Sequence, residues 1–147
     1  MKPFFNELFD YNFYCNKKII EHCVNVAVPS ERTEVLFSEL LCAHHNWNSR
    51  ILGKKADYGL DHRHATMDWE GVHYENQRTS FEITTNADHF DVRVDYENSQ
   101  GRLFTNTLKE MLFQIINQAT YYRGQIAVDF VDKGLEVPFL DYAIYKR

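Results

Sequence analysis

Proline and glycine are scarce, three and six of 147 residues. Both interrupt helices, so their scarcity excludes a Pro/Gly-rich low-complexity chain and suits a mainly helical one. Cysteine is scarce too, and odd in number: Cys15, Cys23 and Cys42 have no paired spacing, which excludes a legible disulfide framework. On one helix Cys15 and Cys23 stand ~12 Å apart along the axis, beyond disulfide reach. No run approaches the ~18 apolar residues of a membrane span. Residues 1–14 carry Glu7 and Asp10 and no continuous apolar segment, unlike a signal peptide. Basic charge is neither abundant nor clustered: 16 Lys and Arg face 21 Asp and Glu, for a net charge of −5. Lys17-Lys18 is only a pair and Arg63 lies in a mixed loop, so a nucleic-acid backbone is excluded as partner. A phosphate-cradling glycine loop, a G-x-S-x-G elbow, an H-E-x-x-H helix and a C-x-x-C pair are all missing. These absences place the chain in a reducing cytoplasm, away from membranes and nucleic acids.

What is present is a globular composition, 44% hydrophobic and 25% charged. It predicts a single domain over 1–147 with one core. Four helices are expected. In the first, over 3–26, Phe5, Leu8, Phe9, Asn12, Phe13, Asn16, Ile19, Ile20 and Cys23 recur at helical spacing. Pro29 then breaks the chain and Ser30 is placed to cap a second helix over 31–52. Its buried stripe is Val35, Leu36, Leu40, Ala43, Trp47 and Ile51, and Gly53 ends it. A polar loop over 54–66 leads to a third helix over 66–85. Residues 90–96 alternate apolar and polar, and Asn98-Ser99-Gln100-Gly101 is a turn signal. A short strand or β-hairpin is expected near 90–103. The fourth helix spans 104–133, stopped by Gly134, and the aromatic tail 135–147 packs back on the rest. The fold class is all-α, a four-helix bundle with long crossover loops.

At 100° per residue, Leu108, Leu112, Ile115, Ala119, Ile126 and Phe130 share one face of the fourth helix. Gln114, Gln118, Gln125 and Asp129 form a neighbouring polar stripe with Tyr122 at its border. Such a stripe lines a cleft, bonds between helices, or faces solvent.

The segment Asn117-Gln118-Ala119-Thr120-Tyr121-Tyr122-Arg123-Gly124-Gln125-Ile126 resembles the NHxTxHRGQI signature of the DinB family of helical bundles. The likeness extends along the chain. Ala43 to Ile51 is similar to the family's second-helix segment, and Tyr96-Glu97-Asn98-Ser99-Gln100-Gly101 to its Y-x-N-S-x-G turn. Residues 134–138 with Asp141-Tyr142 are similar to its closing segment. The resemblance implies the DinB bundle and a metal held by three histidines. The matching positions here are Glu39, Gln118 and Tyr122, with Gln114 at a fourth position.

A neutral amide and a phenol of pKa ~10 are poor ligands for zinc or nickel. The expected cofactor is therefore none, the alternative being a divalent metal such as zinc or nickel. In place of a metal, Tyr122 is expected to donate to Glu39, and Gln118 to bridge them. Cys42, Gln114 and Gln125 are the expected cleft neighbours. Cys42 has no cationic neighbour to activate its thiol and reads as a packing residue. His44 and His45 diverge by ~100° on their helix and read as one packed and one exposed histidine. His62, His64 and His73 read as surface histidines. Arg123 is expected to pair with a carboxylate, and Gly124 to allow a close helix approach.

The implied function is that of a DinB-like protein without the family's metal, a small-ligand-binding protein or homodimer. The alternative is a hydrolase or thiol S-transferase-like enzyme, with Glu39 as general base and Tyr122 as donor to a developing anion.

Overall fold

The structure is a computed structural model that describes residues 1–25 and 29–147. Over the described residues the chain is mainly helical with one two-stranded antiparallel sheet. Helix α1 covers Lys2–Asn25, α2 Glu31–Ile51, α3 Trp69–Asn86, α4 Leu108–Asp132 and the short α5 Tyr142–Tyr145. Strands β1 (Arg93–Glu97) and β2 (Leu103–Thr107) form the hairpin. The expected last residue of the first helix, Val26, lies outside the described residues. Among the described residues no helix is long and apolar enough to cross a membrane.

Local chemistry sets these boundaries. The Ser30 hydroxyl accepts from the Thr33 N–H at 3.1 Å and caps α2. Gly53, at φ 64°, turns the chain out of α2 in a conformation that favours glycine. The third helix begins later than its periodicity predicts: residues 66–68 form a 3-10 turn, and the α-helix starts at Trp69. The fourth helix also starts later, at Leu108 rather than 104, because residues 103–107 pair with β1. Thr107 and Glu110 form a reciprocal capping box, with the Glu110 carboxylate accepting from the Thr107 N–H at 2.8 Å. Two helix-start donors are thereby satisfied, which fixes the helix start at that residue.

Asn98 Oδ1 accepts from the N–H groups of Gln100 and Arg102, both at 2.9 Å, and shapes the hairpin turn. Gly101 there has φ 77°. The register opposes Tyr96 to Phe104 and Val94 to Asn106.

Helix α2 packs against α3 and α4, α1 packs against α3 and α4, and the hairpin rests on α2. One core cluster joins Ile19, Phe37, Leu40, Leu41, Trp69, Ile126 and Phe130. A second joins Phe5, Phe9, Phe90, Leu112 and Ile115 nearer the hairpin. All six predicted apolar residues of the α4 face are buried. The tail does fold back: the hydroxyl of Tyr11 donates to the Leu140 carbonyl, and Tyr142 and Tyr145 set their rings against Tyr11.

A polar chain runs through the α2–α3 contact. Ser80 Oγ donates to Asn48 Oδ1 at 2.9 Å, which commits its one proton, so His44 Nε2 donates to Ser80 at 2.7 Å. Asn48 and Asn76 then reach backbone carbonyls across the contact, each at 3.1 Å.

Candidate functional site

Glu39 on α2 and Tyr122 and Gln118 on α4 lie at the α2–α4 contact, and all three are half-buried. Burial raises the pKa of Tyr122, and the Glu39 carboxylate raises it further while Gln118 opposes the rise. Glu39 is therefore close enough to act on the phenol. Among the described residues, however, no well-formed hydrogen bond links Glu39 to Tyr122 or to Gln118. The Gln118 Oε1 atom is taken by the indole N–H of Trp47 at 3.1 Å. The expected closed network gives way to a bond between helices because the large indole, half-buried on α2, needs an acceptor.

The rest of the polar stripe has the same character. Gln125 Oε1 faces Arg32 at 3.4 Å. Asp129 accepts from Ser30, from Thr33 at 2.7 Å and from Lys133 at 2.8 Å. Burial pushes the Asp129 pKa up, but these hydrogen bonds outweigh it and hold the carboxyl at about 2. The stripe is thus the polar seam between α2 and α4.

Of the expected cleft neighbours, Cys42 stays within electrostatic reach of Glu39 and Tyr122, while Gln125 and Gln114 are engaged elsewhere. The Cys42 thiol, buried, donates to the His62 carbonyl at 3.3 Å. Burial first, then the Asp61 and Glu39 carboxylates, push its pKa up to about 11. Gln114 lines a separate cleft of about 380 Å³ with Trp47, Tyr96, Asn106, Glu110 and Met111. The thiol of Cys23 is pushed by burial up to about 12, so neither of these cysteines is an activated nucleophile.

The histidines divide differently from the sequence expectation. His44 is buried, as expected of one of that pair, but His45 is half-buried rather than exposed, its Nε2 accepting the Asp57 N–H at 3.0 Å. His64 and His73, read as surface residues, are buried instead. The loop folds His64 against Tyr58 and His62, and Ser38 accepts its backbone N–H at 3.1 Å. His73 stacks on Phe13 between α3 and α1. Among the described residues no group of three His, Cys, Asp or Glu side chains is placed to hold a metal ion.

Arg123 also departs from expectation. It is fully buried, and its partners are neutral: Asn12 Oδ1 at 2.6 Å, Asn16 Oδ1 at 2.9 Å and Thr120 Oγ1 at 3.2 Å. Asn12 and Asn16 fall on the inward face of α1, leaving the guanidinium amide acceptors where a carboxylate was expected. A methyl group built on Gly124 meets nothing within 4 Å, so Gly124 does not serve a close helix approach.

The sequence reading missed a second constellation. Arg50 places its guanidinium carbon 4.7 Å from the Trp47 ring centre and 5.5 Å from that of Tyr96. It borders a cleft of about 910 Å³ between the end of α2, residues 53–61 and the hairpin. The only sequence signal was Trp47 and Arg50 three apart on one helix; Tyr96 joins them only through the packing of the hairpin on α2.

No protein-family model and no curated protein matches the chain.

Proposed function

We propose that this chain is a DinB-like four-helix bundle that has exchanged the family's metal ligands for helix–helix contacts. In this reading it acts in the cytoplasm by binding, as a small-ligand-binding protein or a homodimer. The observation that carries the proposal is the Trp47–Gln118 hydrogen bond at 3.1 Å. It uses, for packing, the oxygen at one of the two i, i+4 ligand positions. The donor set fits zinc or nickel poorly for the same reason: one amide already engaged, one phenol whose pKa is raised, and a single carboxylate. The helix contacts, in which α1 and α2 each meet both α3 and α4, are compatible with such a bundle. The free cysteines, all buried, suit a reducing compartment. The homodimer option draws on an outward apolar face of α4, where Phe113, Tyr121, Val128 and Val131 are 54, 66, 62 and 65% exposed.

Elemental analysis of the purified protein, dialysed and then re-dialysed after excess zinc or nickel, tests the proposal. The expected metal content is far below one ion per chain; one tightly held ion per chain would sink it. The triple variant Glu39→His, Gln118→His, Tyr122→His provides the positive control. It is expected to take up zinc or nickel if these positions are the family's ligand positions. Equilibrium sedimentation of the intact protein decides between monomer and homodimer.

A second reading, a metal-independent hydrolase or S-transferase-like enzyme, rests on the proximity of Glu39 to Tyr122. Under it, Glu39→Gln abolishes turnover of ester or thiol-transfer substrates; under the binding reading it leaves ligand affinity largely intact.

A further inference from the structure

We propose that the cleft beside Arg50 is a binding site for a small organic carboxylate with an aromatic or aliphatic body. The cleft volume of about 910 Å³ falls in the usual range for ligand pockets, roughly 300–1,000 Å³. Its walls come from Asn46, Ser49 and Arg50 of α2, from residues 53–61, and from residues 95–99 of the hairpin.

Arg50 is held in place but not consumed. Its guanidinium lies over the Trp47 and Tyr96 rings, and both rings are themselves anchored. Trp47 donates to Gln118 at 3.1 Å, and the Tyr96 hydroxyl donates to Asn106 Oδ1 at 2.7 Å. Among the described residues no hydrogen bond or ion pair occupies the guanidinium donors. A half-buried arginine stacked on aromatic rings, with its N–H donors open, matches the planar, bidentate geometry of a carboxylate.

The remaining charges narrow the ligand. Lys54 and Lys55 line the cleft, as do Asp57, Asp61, Asp95 and Glu97. Asp95 already accepts from Thr105 at 2.5 Å, whereas Asp57 gives only its backbone N–H, to His45 Nε2 at 3.0 Å, and its carboxylate stays open. Asp57, Asp61 and Glu97 remain, and with Asp95 they oppose a polyanion. Tyr58, Leu60, Ala56 and Tyr96 supply surface for an apolar body. A single carboxylate on such a body satisfies both constraints. No residue lining this cleft is Glu39, Gln118 or Tyr122, so this site and the metal-site reading fail separately.

Titration of the ¹⁵N-labelled intact protein with sodium benzoate, followed by NMR, tests the proposal, with benzamide as the neutral control of the same shape. Benzoate is expected to give saturable shifts at the Arg50 Nε, Trp47 Nε1 and Tyr96 amide signals, while benzamide gives none. Arg50→Gln is expected to weaken benzoate at least about tenfold, the loss of one charge-assisted contact. Glu97→Gln, a change at an exposed hairpin position, is expected to tighten it about twofold or more by removing a competing charge. Acetate is expected to displace benzoate. If Arg50→Gln unfolds the protein, the Glu97 variant and acetate competition decide alone. Equal shifts with benzoate and benzamide would overturn the proposal. So would benzoate affinity indifferent to Arg50 or Glu97, or no saturable shift up to roughly 10 mM, beyond ordinary weak binding.

Discussion

Trp47 and Gln118 are joined across the α2–α4 contact, indole Nε1 donating to amide Oε1 at 3.1 Å. The same indole lies beneath the Arg50 guanidinium. One side chain therefore couples Gln118 to the arginine of the open cleft. Replacing Gln118 with Leu strips the indole of its acceptor and is expected to cost about 1 kcal/mol, the usual net value of such a bond. The urea midpoint should fall and the tryptophan emission should shift; an unchanged midpoint and spectrum would show that the bond holds nothing.

Asp129 ties the end of α4 to the cap of α2. Its pKa is held at about 2 in the folded protein, against ~3.9 for an unperturbed aspartate. A depressed carboxylate contributes stability that is present above the unfolded value and lost as pH falls toward the folded one. The contribution is on the order of 2 kcal/mol, and it should disappear between pH about 4 and 2. Asp129→Asn is expected to be less stable at pH 7 and to lose less on acidification over that window. Denaturant melts at pH 7 and pH 3 on both proteins check it.

His44 and His73 work at milder pH. Burial, with smaller contributions from His73 and His45, pushes the His44 pKa down to about 3. Burial pushes His73 down to about 4, against an opposing bond to the Phe13 carbonyl. Both folded values lie below the ~6.5 of an unfolded histidine. The unfolded chain therefore gains protons first, and stability is complete above pH about 6.5 and lost below it. The loss is about 2 kcal/mol per histidine between pH 6.5 and 5. Urea titrations at pH 7 and 5 should show it, and His44→Gln should remove roughly half of the slope while lowering stability at pH 7. A wild-type midpoint that does not move from pH 7 to 5 would refute the burial argument.

Arg123 is a buried cation held by amide oxygens, and desolvation accordingly lowers its pKa. Removing it leaves the Asn12 and Asn16 oxygens without a donor. Arg123→Met is expected to destabilise by roughly 2–4 kcal/mol, the cost of orphaning buried polar groups. Adding Asn12→Leu to that background should recover part of the loss, a coupling that a double-mutant cycle reads directly. Strict additivity of the two changes would show that the contact has no energetic weight.

The elements were legible in the sequence where a local pattern specified them. The period of the apolar residues marked the four long helices, and Ser30 and Gly53 marked ends of α2. Residues 104–107 were misread as helix because Phe104 joins the apolar pattern that Leu108 and Leu112 continue. Their pairing with β1 and the capping box at Thr107 override it, and both depend on partners that periodicity does not register. The candidate site was legible only as positions. Glu39, Gln118 and Tyr122 do meet at one helix contact, yet the partner of Gln118 proved to be Trp47.

By itself the sequence determined the buried face of α4, because burial on a helix follows a 3.6-residue period that can be counted; on α2 the predicted Val35, Trp47 and Ile51 are only half-buried, and Phe37 and Leu41 are buried instead. It also determined that Gln118 and Tyr122 are poor donors for zinc or nickel, because donor chemistry belongs to the residue type. Tertiary structure alone decided what those residues do instead. The docking of α4 on α2 gave Gln118 to Trp47, and the crossing of α1 gave Arg123 two amides rather than a carboxylate. The hairpin's seat on α2 brought Tyr96 to Arg50, 46 positions apart in the chain. A hydrogen bond or a stacked cation depends on distances of a few ångströms between groups far apart in sequence, and only the packing of the helices sets them.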